Sequence, residues 1–195
     1  MRTQTNHLLA RLFIAALTLS FPFVGVTYSL AQDQQNAHPM KTDPPRLAQV
    51  VALDECDPTT FNAVLGPDFC ENIALGYSTT FTDLFQEAAN GTPDPKWDFE
   101  PDTVHIPEGT ILSVVDQGGE PHTFTEVKQY GGGFIAGLNS GQAPAPECAA
   151  GFSDVAVART RIIQGSTSLV TGLSKGTHYF QCCIHPWMRV KVEVK

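Results

Sequence analysis

Tyr179-Phe180-Gln181-Cys182-Cys183-Ile184-His185-Pro186-Trp187-Met188, close to the C-terminus, sets a thiolate, an imidazole and a thioether within seven positions at the end of an apparent strand. A soft thiolate with imidazole and a weak thioether is the ligand set that selects copper, and a second imidazole makes the site trigonal. His122, in Pro121-His122-Thr123-Phe124 at the start of another apparent strand, is the obvious second donor. Side chains two apart on a strand share a face. If Phe180 fills the core, Cys182 points into the end of a sandwich and Cys183 points the other way. The turn after them folds His185 and Met188 around the same ion.

Working outward from that stretch, the chain from Trp97 onward consists of short alternating or β-branched runs punctuated by Gly, Pro and Asp, the texture of an all-β sandwich. Strands are expected at about 103 to 107, 110 to 116, 121 to 127, 159 to 164, 166 to 172, 176 to 183 and 188 to 194. A Greek-key β-sandwich follows from that run. Residues 128 to 153, with Gly131-Gly132-Gly133 and Ala143-Pro144-Ala145-Pro146, argue against strand pairing and read as a long surface loop, the triple glycine as a flexible turn. Residues 32 to 96 form an acidic, Cys-containing, partly helical extension. Gln32 to Arg46 is a polar, proline-broken leader, and Asp83 to Ala89 a helix capped by Thr82 and stopped at Asn90-Gly91.

Residues 1 to 31 carry Arg2 and Arg11, an apolar run from Leu12 to Val26, and Ser29-Leu30-Ala31, the pattern of a cleaved export signal. The expectation is a periplasmic or secreted protein of residues 32 to 195 with no membrane span. That portion has ten Lys plus Arg against twenty Asp plus Glu. So acidic a chain argues against nucleic acid as a partner and favours basic protein partners.

Five cysteines in an exported chain leave one outside any set of pairs. Cys56 and Cys70 make the simplest bridge, and Cys148 with Cys183 is a possible second one. A vicinal Cys182–Cys183 bridge in a metal-free sandwich is the bland alternative, and bridge geometry disfavours it. His122 alone would read as a structural histidine and Met188 alone as core filler; their weight comes from Cys182 and His185. His38, His105 and His178 lack such company and are read as leader, strand surface and strand packing.

On these residues the chain from 97 to 195 resembles the cupredoxins, the small blue copper proteins, and in particular the short Cys-x2-His-x2-Met loop of the amicyanin type within the plastocyanin-like branch. Gly176 to Phe180 resembles the strand leading to the ligand cysteine, and Val104 to Val115 the turned strand pair of that family. The resemblance implies one type 1 copper ion, with His122, Cys182 and His185 as equatorial ligands and Met188 as the weak axial one. Three positions depart from the pattern. Asp116 stands where an Asn often braces the ligand loops, Cys183 replaces a small polar residue, and His178 replaces an aromatic.

The function implied is one-electron transfer between redox protein partners, with electrons leaving by the His185 edge; Pro186 and Trp187 beside it either merely cap the core or form an exposed apolar rim through which a partner approaches. Copper sequestration or delivery with the same ligands is the alternative. An enzyme is not expected: copper oxidases and nitrite reductases relay electrons through a histidine beside the ligand cysteine, and here Gln181 and Cys183 flank it. A binuclear centre would need two cysteines four apart, the second four before the histidine, and those positions hold Thr177 and Gln181.

Overall fold

Ten strands and three short helices make up residues 44–71 and 79–195, the part of the chain that the computed structural model describes. The expected export signal and the expected leader as far as residue 43, His38 included, lie outside the described residues. No helix among the described residues is long and apolar enough to cross a membrane.

The first sheet runs in the order β2 (Asp98–Glu100), β1 (Leu47–Leu53), β4 (Ile111–Asp116), β8 (Thr167–Val170). The second runs β3 (Thr103–Ile106), β10 (Arg189–Val194), β9 (Gly176–Gln181), β6 (Thr125–Val127). A short ribbon pairs β5 (His122–Thr123) with β7 (Arg161–Ile162). Both large sheets are mixed: β1 lies parallel to β4 and β10 parallel to β3, and the other pairings are antiparallel.

Alternation decides which residues go inside. In β10, Val190, Val192 and Val194 are buried while Lys191 and Glu193 are partly exposed; in β4, Leu112, Val114 and Asp116 face in. These residues join Val50, Ala52, Phe99, Phe124 and Phe180 in one core shared by the two sheets. Phe124 and Phe180 stack with ring centroids 4.5 Å apart. Because Asp116 holds the third inward position of β4, the pattern that buries two aliphatics also buries a carboxylate.

The structure corrects two strand assignments and one helix boundary. Leu47–Leu53, which has no strand in the sequence reading, is an interior strand of the first sheet, registered Leu47↔Ile111 through Ala52↔Asp116. Its Val50 and Ala52 supply the period-two signal, but the small residues around them obscure it. The expected strand at 159 to 164 is pared down to the two residues of β7: Arg159 is the last residue of α3 (Val155–Arg159), which Asp154 caps by accepting from Ala156 N. The helix expected at 83 to 89 is α2 (Phe81–Asn90), and its cap is Thr80, whose Oγ1 accepts from Asp83 N at 3.2 Å. Gly91 ends it in the left-handed conformation at φ 70°.

Helix α1 (Pro58–Leu65) begins with Asp57 accepting from Thr60 N and with proline at its first turn. With α2 it forms a second core of Cys56, Phe61, Cys70, Leu84, Ala88, Trp97 and Leu138. The Cys56–Cys70 disulfide closes that core. Residues 128 to 153 are free of regular strands, and they are anchored. Gly131 N donates to Gln181 Oε1 at 3.0 Å, Gly132 N to Ala143 O at 2.7 Å and Gly133 N to Asn139 Oδ1 at 2.7 Å. A Cβ on Gly133 would overlap the Cys183 carbonyl oxygen. The triple glycine is therefore there for close backbone approach, not for flexibility.

Candidate metal centre

Strand β9 ends at Gln181, and the chain turns at once. Met188 N donates to His185 O and Cys182 N to Met188 O, both at 3.0 Å, which closes the loop from 182 to 188 on itself. The alternation expected of the two cysteines holds. Cys182 enters the main core with Phe180, and Cys183 enters a third cluster where it forms a disulfide with Cys148. Cys182 is the free cysteine, and it is buried.

From the other side β5 brings in His122. Cys182 Sγ lies 3.9 Å from His122 Nδ1 and 3.8 Å from His185 Nδ1, and the two Nδ1 atoms are 3.3 Å apart. A point equidistant from the three atoms is about 2.1 Å from each, the length of a metal bond to imidazole nitrogen or thiolate. The donor set therefore fits a single small ion. All three side chains are buried, as is Met188, whose backbone fastens the loop.

The sulfur is prepared as a thiolate. Thr123 N and His185 N each donate to Cys182 Sγ at 3.4 Å. Burial alone would push the thiol pKa up, but the two imidazoles beside it hold it well below its ordinary value. Burial likewise disfavours charge on His122, and Asp54 and Cys182 override it, raising that pKa well above normal. For His185, Glu120 and Cys182 outweigh burial and raise the pKa to about 9. Thr123 ties the two ligand segments together, accepting from Cys183 N through Oγ1 at 2.7 Å.

Behind each histidine stands a carboxylate that the sequence reading did not single out. Asp54 Oδ2 is 2.8 Å from His122 Nε2, and both side chains are fully buried. Glu120 Oε2 is 2.6 Å from His185 Nε2, with the two side chains 6% and 1% exposed. At that separation Glu120 and His185 make a buried ion pair. Glu120 stands two residues before His122, so an acid beside a ligand was a visible signal; nothing local marks Asp54, which lies at the end of β1.

Asp116 does not brace the loops. Its Oδ1 accepts from Gly118 N at 2.9 Å, its Oδ2 has no partner, and burial, added to by Asp54 and opposed by His122, raises its pKa to about 7. Asp54 takes the bracing position, accepting from Gly119 N at 2.7 Å and Glu120 N at 3.0 Å.

Of the two readings of Pro186 and Trp187, the structure shows the cap on the core and not the exposed rim. His185 is 1% exposed and Pro186 is buried. Trp187 is half-buried, and its Nε1 donates to Trp97 O at 2.9 Å. The Trp97 ring stands edge-on to His185 with centroids 4.9 Å apart. The segment carrying α1, α2 and Trp97 thus covers the histidine edge. His178 pairs with Glu126 and Ser174 O, and His105 with Glu193, both away from the cluster.

No family model matches the sequence, and no curated protein matches it. Among solved structures the chain is similar to a purple cupredoxin from Nitrosopumilus maritimus, at 13% identity over 76% of this chain and 99% of that one, with a TM-score of 0.38. It is also similar to a reduced mutant of amicyanin, at 19% identity over 52% of this chain and 77% of that one, TM-score 0.33. A second amicyanin mutant, in its reduced Cu(I) form, gives 18% identity over 55% and 89%, TM-score 0.34.

Proposed function

We propose that the chain is an exported type 1 copper protein built on a Greek-key sandwich, which passes single electrons between redox protein partners. The observation that carries this reading is the buried triangle of His122 Nδ1, His185 Nδ1 and Cys182 Sγ, with two backbone N–H groups aimed at the sulfur. His122, Cys182 and His185 would be the strong ligands and Met188 the weak axial one. Copper, when bound, would supply a one-electron couple between its divalent and monovalent forms. The chain's part is to hold the three donor atoms at nearly fixed separation, to keep Cys182 as a thiolate and to exclude water. No group is poised for bond-making chemistry in this reading. The acidic surface composition favours basic partners.

Copper storage or delivery is the second reading, and the burial of the His185 edge favours it, since a covered ligand slows exchange with a docked redox protein. The two separate on one experiment. Residues 32 to 195 are loaded with one equivalent of Cu(II) beside Cys182→Ser. An intense thiolate-to-copper absorption band, lost in the variant, with fast electron exchange with a soluble redox dye, is the result expected. A pale wild-type protein that holds only Cu(I) would overturn electron transfer in favour of storage.

A further inference from the structure

Both imidazoles of the centre turn Nδ1 toward Cys182 and Nε2 toward a buried acid, so each ring is held between a ligating edge and a carboxylate. Asp54 is saturated in that role. Oδ1 accepts from Gly119 N at 2.7 Å and Cys56 N at 3.4 Å, and Oδ2 accepts from Glu120 N at 3.0 Å and faces His122 Nε2 at 2.8 Å. The loop between β4 and His122 is shaped to wrap it: a Cβ on Gly118 would overlap Asp54 Oδ2, and one on Gly119 would come 2.9 Å from Cys56 Sγ. With four donors already on it, Asp54 has no free lone pair for an ion of its own, so the nearby trio of Asp54, Asp116 and His122 is a second layer of the one centre and not a further site. Glu120 is placed differently, as the charged member of the lining of a small apolar pocket shared with Phe81, Leu84, Ile135, Leu138 and Ile184.

We propose that Asp54 and Glu120 are the positioning residues of this centre: they fix the two imidazole rings by their Nε2 edges, and their buried negative charge favours the more highly charged state of the bound ion. The inference rests on the copper reading above. A carboxylate behind a ligating histidine fixes its tautomer and raises its basicity. Two of them, buried beside the imidazoles, put fixed negative charge where the divalent ion gains more than the monovalent one. Sequence distance hides the first of these pairs, because Asp54 reaches His122 only when β1 docks in parallel on β4.

The test uses copper-loaded residues 32 to 195 with Glu120→Gln and, separately, Asp54→Asn, each read by visible spectrum, reduction potential and Cu(II) affinity. Glu120→Gln is the cleaner variant, since its side chain carries no recorded backbone bond that the amide would forfeit. Each variant should keep the thiolate band, lose about 10- to 100-fold in Cu(II) affinity, and move the Cu(II)/Cu(I) equilibrium at least tenfold toward Cu(I), a rise of about 59 mV for one electron. A Glu120→Gln protein with the band intact and an unchanged potential would overturn the inference while leaving the copper reading standing. Absence of the band in the wild type would overturn the type 1 reading, whether the protein then held Cu(I) alone or no copper, and this inference with it.

Discussion

The indole Nε1 of Trp187 donates to the backbone carbonyl of Trp97 at 2.9 Å, so the loop that carries two of the three close donors is tied to the residue just before β2. The two rings also flank His185, Trp97 at 4.9 Å and Trp187 at 5.5 Å between centroids. Trp187→Phe keeps the apolar contact and removes the donor. It should cost about 1 kcal/mol, a fall in Tm of roughly 2 to 4 °C, with the fold retained. Thermal unfolding beside Trp187→Ala, which also loses the packing and should fall further, checks this. Equal Tm in wild type and Trp187→Phe would show that the bond contributes nothing.

The cysteines give a prediction that needs no metal. Two pairs are bridged and Cys182 is buried, so alkylation of the native chain without reductant should label no cysteine. After unfolding in denaturant it should label one, and peptide mass should place it at Cys182. Cys148 and Cys183 are 35 residues apart. Replacing both by alanine should lower stability by about 4 kcal/mol on loop-closure grounds, read as a shift in urea midpoint. Label at Cys183 in the unfolded wild type would contradict the pairing.

Gly133 packs where no side chain fits, against the carbonyl of Cys183. Phe134 N donates to that same oxygen at 2.9 Å. Gly133→Ala must push the 131–133 segment off the ligand loop, and a cost of about 2 kcal/mol or more is expected for such backbone overlap. Gly109→Ala is a comparison site, strained in its own φ of 80° but with open space around its Cβ position. If Gly133→Ala proved as stable as wild type, the close approach would not be needed.

Asp116 should make the protein less stable as pH rises. Its pKa is raised from 3.8 to about 7, chiefly by burial, so ionising it costs more in the folded chain than in the unfolded one. Its contribution is fully present below about pH 4 and is lost as pH climbs through 7. Asp116→Asn cannot ionise. It should match wild type near pH 4.5 and exceed it at pH 8 by on the order of 2 kcal/mol, below the limit that the full shift would imply. Urea midpoints at the two pH values test this, and a gap independent of pH would refute it.

What the sequence made legible was local. Cys182, His185 and Met188 lie on one turn, and the two-residue period of β9 correctly sends Cys182 inward and Cys183 toward Cys148. His122 is reached by a single inference from residue chemistry. The two-sheet core follows from the valines of β10 and the aliphatics of β4. The rest depended on contacts between distant segments. Strand β1 is disguised by Ala48, Gln49 and Ala52, and its place inside a sheet is set by parallel pairing that no turn encodes. Asp54 looks like any surface acid until that strand is docked. Pro186 and Trp187 read equally as a cap or as an exposed rim because nothing local shows what covers a loop tip, and here α2 and Trp97 provide the cover.

The parallel docking of β1 on β4 also bears on the order in which the chain can assemble. Synthesis delivers Asp54 first and the 182–188 turn last, with His122 between them, so the acid that backs the first imidazole exists long before the sulfur it indirectly serves. Contacts of such long sequence separation form slowly. During that interval Cys182 has not been made, and an ion arriving early meets neither the thiolate nor its two backbone donors. The three donor atoms can come together only after β9 and β10 have joined the second sheet, which makes assembly of the donor triangle a late event in the maturation of the protein.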